Sequence, residues 1–356
     1  MKHFGKLLGT VGAVALTVVA ASPALAAGTA SGTTITNAVT VNYQVGGVSQ
    51  TATGASNSFK VDRKVNVTVA EVGTATTQVS PNQTAAVTTF TVTNNSNATL
   101  DFALTAAQQT GGAGAHSNTD TFDVTNVKIY VETGTVAGFD ATDTLVTYLD
   151  ELPADGAKTV YIVADVPIGL STNAVAAVTL TATGKEGGLA ASQGAALTQT
   201  NSGAANEVDP NFVDTVFADV AGATDAARDA AHSAKDDYTV LAAALTITKT
   251  MKVISDPLNG TSFPKAIPGA TIEYCIMVAN AAGSATANTV AISDPLPTTV
   301  AYDSTYGIFL NTTVTSGSCN TDGTAGGSYA SGTVSGTLTS VAATETKALR
   351  FRATIN

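Results

Sequence analysis

The feature that most restricts how this chain can fold is a period-two alternation of apolar and polar residues, which returns in short runs along most of its length. Residues 64–70 put Val65, Val67 and Val69 on one side and Lys64, Asn66 and Thr68 on the other. Successive side chains of an extended strand point to opposite faces, so such a run is a strand with one face buried. Further runs lie at 85–93, 101–105, 126–132, 145–149, 159–163 and 175–183. Gly, Asn, Pro and Ser turns separate them and no helical period intervenes, which predicts antiparallel sandwiches and not a parallel sheet with crossover helices. Nearer the N-terminus, Val39, Val41, Tyr43 and Val45 share one face of residues 33–45. Gly46-Gly47 then reads as a two-residue hairpin turn, because such turns need positive φ at both central positions.

One phrase occurs twice. FTVTNNSNATLDFAL at 90–104 and YCIMVANAAGSATANTVAISDPLP at 274–297 each give a strand, an Asn, a run of small residues and another strand. Asn94 and Asn280 start the turns, since an Asn side chain bonds nearby backbone and tolerates left-handed geometry. The repetition predicts a repeated shape, tandem sandwiches, and not a repeated site. In the second half Ile272, Tyr274, Ile276 and Val278 form one face, as do Leu349, Phe351, Ala353 and Ile355, with Arg350, Arg352 and Thr354 opposite. Between the halves, residues 184–206 read as a loop. The alanine-rich run 223–238, with Thr224 as N-cap, predicts a short connecting helix. The expected organisation is a signal peptide at 1–26, a hairpin and first sandwich at 27–183, a linker at 184–237 and a second sandwich at 238–356.

The compartment follows from the first residues. Lys2 and Lys6 precede an apolar stretch at 7–21, and Ala24-Leu25-Ala26 offers a small-x-small cleavage site, the pattern of a secretory signal peptide cut before Ala27. Nothing later is apolar for long enough to span a bilayer, so no transmembrane segment is expected in the mature chain. The mature protein is expected to be secreted, to the extracellular space, the cell surface or the periplasm. Loss of Lys2 and Lys6 takes the net charge from -11 to -13. With no cluster of Lys or Arg to meet phosphates, nucleic acid is excluded as a partner. The apolar share of 44% sets the chain apart from a disordered acidic tail.

The chain has two cysteines, Cys275 and Cys319. An even pair in an oxidising compartment predicts one disulfide. Alternation puts Cys275 opposite the core aliphatics, so the bridge to Cys319 has to run over the outer surface or edge of the sheet.

These residues also carry a resemblance. Lys249-Thr250 closes a strand; Pro268-Gly269 precedes a strand with Tyr274, Val278 and Asn280; Gly283 lies in the turn; Asp294, Leu296 and Pro297 follow. In this order the segment 245–356 resembles the conserved repeat domain of bacterial surface proteins known as domain-of-unknown-function eleven. FTVTNNSN and VYIVADVP match it more loosely in the N-terminal half. The chain departs from that pattern at Ala270, where an acid is usual, and at Cys275, where a hydroxyl residue is commoner. The resemblance implies an immunoglobulin-like sandwich in an extracellular, often repetitive architecture without known catalytic activity.

Candidate chemistry is sparse. After the signal, the histidines are His116 in a glycine-rich loop and His232 in the expected helix, neither with a partner at a metal-binding helical spacing. No nucleophile elbow, P-loop or dinucleotide fingerprint occurs, so no enzyme is expected. Calcium is the sharper possibility: Asp140, Asp143, Asp150 and Glu151 cluster in FDATDTLVTYLDEL, though without a complete calcium loop. No other cofactor is expected. A Lys249 to Asn356 isopeptide needs a buried acid, and alternation turns the nearest one, Glu273, outward. The expected function is that of a secreted, non-catalytic structural or interaction protein of the bacterial surface or extracellular matrix. Its expected partners are surface or matrix proteins, including itself. Strand 33–45 either adds to another subunit's sheet edge or, more simply, completes its own domain. The alternative function is a carbohydrate- or calcium-binding accessory module, which would need a cluster of exposed tyrosines such as Tyr302, Tyr306 and Tyr329 in place of the absent Trp.

Overall fold

A computed structural model describes residues 28–200 and 212–356, so the expected signal peptide lies outside the described residues. The described residues form strands and turns with no helix, and none therefore is long and apolar enough to cross a membrane. A ribbon of β1 (Thr34–Val41) and β2 (Thr53–Lys60) comes first. The first sandwich comprises β3 (Val67–Glu71), β4 (Ala86–Asn94), β5 (Leu100–Gln108), β6 (Thr125–Val131), β7 (Tyr148–Leu152), β8 (Ala157–Asp165), β9 (Val175–Lys185) and β10 (Ala231–Val240). The second comprises β11 (Leu245–Ser255), β12 (Thr271–Asn280), β13 (Ala287–Pro295), β14 (Ile308–Thr312), β15 (Thr333–Val341) and β16 (Thr346–Ile355). The fold is all-β, a tandem of immunoglobulin-like sandwiches preceded by a hairpin.

In the first sandwich one sheet runs Thr144–Leu145, β6, β8, β4, β3 and the other β7, β5, β9, β10, Thr77–Val79. Alternation does what the sequence leads one to expect: β4 is buried at every second residue from Ala86 to Asn94. Its Phe90 and Val92 meet Phe102, Leu180, Ala182 and Tyr238 of the facing sheet in one core. The Tyr238 hydroxyl, fully enclosed, donates to the Ile162 carbonyl at 3.0 Å. That bond removes the cost of burying a phenol without a partner.

The expected linker helix at 223–238 is not formed. Ala231–Val240 is a strand, paired antiparallel with β9 from Val175↔Thr239 to Thr183↔Ala231 and parallel with Thr77–Val79. Alanine favours a helix, but this run has no apolar helical stripe to bury, whereas as a strand it seals the sheet with Ala231, Ser233 and Tyr238. Thr224, the expected N-cap, instead donates its backbone N–H to Ser233 Oγ at 2.8 Å. Thr215–Phe217 also pairs, parallel, with Arg63–Val65. Much of the expected linker thus belongs to the first sandwich.

The second sandwich faces a sheet of order β11, β12, β16, β14, Thr324–Ala325 with a three-stranded sheet of order β13, β15, Ser328–Ala330. Leu349, Phe351 and Ala353 are buried between them, as the alternation predicts. Arg350, on the opposite face, is also buried, at 3% exposure. Its guanidinium lies 4.9 Å from the Phe309 ring centroid and donates to the Asp322 carbonyl at 3.3 Å.

The repeated phrase has a specific physical meaning. Asn94 Nδ2 donates to the carbonyls of Ala98 and Leu152, both at 2.9 Å, while its Oδ1 accepts from Ser96 N. Asn280 Nδ2 donates to Ala285 O at 2.7 Å and Val341 O at 3.0 Å, and its Oδ1 accepts from Ala244 N. Each buried amide closes its own turn and pins the end of a second strand. The same words encode the same staple in both sandwiches.

Candidate interaction edges and a buried titratable cluster

The hairpin is amphipathic, and among the described residues it pairs with neither sandwich. Its register pairs Ile35↔Phe59, Val39↔Ala55 and Val41↔Thr53 on one face, with Thr36↔Ser58 on the other. Gly46 and Gly47, at φ 59° and 82°, make the expected turn, joining Gln44–Val45 to Val48–Ser49. Every β1 residue is exposed; Val39, Val41, Tyr43 and Val45 are 57%, 50%, 50% and 62% open to solvent. Among the described residues β1 pairs with β2 and joins neither sandwich, so within them the ribbon does not complete the first domain as the simpler expectation has it. A two-stranded ribbon with one apolar face is marginal by itself in water.

The second sandwich is open along one side. β11 ends its sheet, and opposite pairs Ile247↔Val278, Lys249↔Ile276 and Met251↔Tyr274 put its alternate residues on the core-facing side. Yet Ile247 is 70% and Met251 50% exposed, because the facing sheet stops at β13. Lys249 Nζ reaches Asp294 at the end of β13, 2.6 Å from Oδ2, and bridges the two sheet edges. Lys249 is therefore engaged by Asp294, and Asn356 Nδ2 donates to Thr298 O, so the two ends of an isopeptide are not brought together. Glu273 faces outward as expected, 3.0 Å from Arg352 Nε.

The disulfide forms as expected, with Cα atoms of Cys275 and Cys319 5.6 Å apart. It lies on the outer face of β12 against Met277, Ala348 and Val314.

The expected calcium ligands are split. Asp140 Oδ1 accepts from Thr142 N, and Asp143 accepts from the N–H groups of Asp140 and Thr133, so both carboxylates are used in shaping their own loop. Those bonds hold the Asp140 carboxyl below its ordinary pKa, the Thr142 hydroxyl first. Among the described residues neither belongs to a group of three ligands at metal distance. Asp150 and Glu151 converge instead on the buried Asp101. Asp150 accepts from Ala191 N, Glu151 from the N–H groups of Gly188 and Leu189, and Asp101 from Glu151 N and Gly194 N. These carboxylates clamp the loop between Glu186 and Ala195 through its backbone.

The tyrosines do not form one platform. Tyr302 and Tyr329 stack with centroids 4.5 Å apart. Tyr306 instead donates to Glu273 at 2.9 Å beneath the Arg352 guanidinium.

Sequence reasoning missed a second cluster. His116 sits in the loop between β5 and β6; Glu71 ends β3; Asp236 and Asp237 are adjacent on β10. Asp237, with a side chain wholly buried, takes His116 N on Oδ2 and His116 Nδ1 on Oδ1, both at 3.0 Å. On the other side of the ring Nε2 is 3.2 Å from Glu71 Oε1. Burial pushes the Asp236 carboxyl up to about 7, aided by the charges of Glu71 and Asp237. Burial draws His116 down, but the Asp237 hydrogen bond and the surrounding carboxylates outweigh it and raise its pKa. A glycine allows the close approach, since a Cβ on Gly114 would stand 2.6 Å from Asp237 Oδ2.

No family model matches the chain, and no curated protein matches it. Among solved structures it is similar to a candidate membrane-anchored protein from Corynebacterium diphtheriae, at 11% identity and a TM-score of 0.20 over 91% of this chain and 89% of that one. It is also similar to the CupB6 tip adhesin from Pseudomonas aeruginosa, at 12% identity and a TM-score of 0.23 over 83% of this chain and 88% of the other. Scores this low carry nothing about shared function.

Proposed function

We propose that the chain is a secreted, non-catalytic structural or interaction protein of a bacterial cell surface or extracellular matrix, which assembles by strand addition. The observation that carries this reading is the ribbon, which joins neither sandwich among the described residues and whose apolar face is exposed. Its complement on the same chain is the β11 edge. The eight residues of β1 fit within the eleven of β11, and among the described residues each lacks a neighbour on one side. Residues 33–59 contain no charged side chain, and the ion pair with Asp294 neutralises the inward lysine of β11. An uncharged strand can therefore lie there without stranding a charge, and backbone pairing would cover Ile247 and Met251. A ribbon of one copy on the β11 edge of the next is a head-to-tail contact, which builds rings where its rotation closes and open chains where it does not. The repeat-domain resemblance of residues 245–356 supports the surface setting, and the leader pattern at 1–26 supports secretion.

The test is light scattering on the oxidised mature chain from Ala27 across a concentration series, beside the variant Val39→Lys/Val41→Lys. Growth of assemblies with concentration, lost in the variant without change in its thermal midpoint, is the expected outcome. A wild-type chain that stays monomeric throughout overturns self-assembly. Assembly unaffected by the two lysines would instead remove the ribbon from it.

A further inference from the structure

We propose that Glu71, His116 and Asp236 bind a divalent transition-metal cation of the zinc class, with Asp237 orienting the histidine. The donor set is one imidazole nitrogen and two carboxylates, which suits zinc, manganese or cobalt and not calcium, whose ligands are oxygens. One ligand atom from each residue lies within 4.8 Å of the others. Ligands about 2.1 Å from a tetrahedral ion stand about 3.4 Å apart, close to what Nε2 and Glu71 Oε1 show at 3.2 Å.

Two independent features point to a cation and not to a cluster of acids that merely share a histidine. The first is the carboxylate behind the ring. Asp237 is fully buried and lies 3.0 Å from Nδ1, so that with the Nδ1 hydrogen directed to it the neutral ring presents its Nε2 lone pair toward Glu71, 3.2 Å away. This is the outer arrangement that metal-binding histidines use. The second is Glu71 Oε1, an enclosed oxygen that has no hydrogen-bond donor although Nε2 is near it. A buried carboxylate oxygen without a donor is costly, and a cation between Oε1, Nε2 and Asp236 supplies what is missing. The side chains of His116 and Glu71 keep 17% and 20% of their surface open, enough for an ion to enter and for water to complete its shell.

The site would join separate parts of the fold. β3 belongs to one sheet of the first sandwich, β10 to the other, and His116 to the loop over their end. A bound ion would fasten the two sheets and the loop together, as a structural metal does. The other histidine does not compete, since His232 Nδ1 accepts from Val69 N at 3.1 Å.

The experiment uses the mature chain stripped with a chelator, titrated with zinc by calorimetry and with cobalt by visible absorption. One equivalent of zinc per chain is expected, with cobalt bands of a nitrogen and oxygen site and a thermal midpoint raised by zinc. Glu71→Gln, which keeps the shape of the side chain, and His116→Ala are each expected to weaken binding at least tenfold and to abolish the midpoint shift. Circular dichroism matching the wild type establishes that Glu71→Gln is folded, so a folding failure of His116→Ala leaves the test intact. Absence of zinc binding, full retention in Glu71→Gln, or calcium bound as tightly as zinc would overturn the proposal.

Discussion

Removing the Cys275–Cys319 bridge has a calculable outcome, because its effect is set mainly by the chain it closes. The two cysteines are 44 residues apart. In the chain-entropy account, a crosslink over a loop of this size takes about 13 cal/mol/K from the unfolded ensemble, or about 4 kcal/mol at 25 °C. The second sandwich has roughly 110 residues, and unfolding entropy near 60 °C is about 2.1 cal/mol/K per residue, so the loss corresponds to a midpoint lowered by roughly 15–17 °C. The double variant Cys275→Ala/Cys319→Ala avoids leaving a lone thiol in the buried patch with Met277 and Ala348. Scanning calorimetry of the mature chain is the assay. The first sandwich contains neither cysteine, and its transition serves as the internal reference. Reduced wild type should follow the double variant. A second-sandwich midpoint that falls by less than about 4 °C, equivalent to about 1 kcal/mol, would refute the reasoning; so would an equal fall in both transitions.

Two further outcomes follow from single side chains. Asn94→Ala should cost the first sandwich about 2–4 kcal/mol and Asn280→Ala the second a similar amount, since each strands strand-end carbonyls, and urea unfolding would measure both. Asn→Asp at either position should fail nearly as badly, because a carboxylate cannot donate to those carbonyls; full stability of the Asp variants would contradict the staple. Asp256 is held down to about 2, first by the N–H of Asn259 and further by those of Lys265 and Leu258. A depressed carboxyl stabilises its loop above the unfolded value of 3.8 and loses that contribution as pH falls through about 2. The amide shifts of Asn259 and Lys265, followed by NMR, should therefore titrate near 2, and titration near 3.8 would show that the bonds are not formed.

The strands and turns were legible in the sequence, because their signals are local. β4, β8, β9 and β16 lie where alternation places them, and the Gly46-Gly47 turn and the outer position of the disulfide follow from the same stereochemistry. The helix expected at 223–238 shows the limit of that reasoning. Alanine content is a weak preference, and nine residue pairs with β9 override it. The four expected calcium ligands lie in two places, Asp150 and Glu151 with Asp101 and apart from Asp140 and Asp143, for a related reason. Nearness in sequence put Asp140 beside Asp150, while Asp150 and Glu151 turn to Asp101 and the backbone of a loop some forty residues onward.

By itself, then, the sequence determined the period of each strand, the face each residue takes, the turns between strands and the surface on which the cysteines meet. Those properties depend on the geometry of a few consecutive residues. Only the tertiary structure decided that, among the described residues, the ribbon joins neither sandwich and β11 ends its sheet, and that His116 meets an aspartate 121 residues away. Whether a strand is an edge, and which charged groups share a cavity, depends on which distant segments pair. Alternation states that a face must be buried without stating against what.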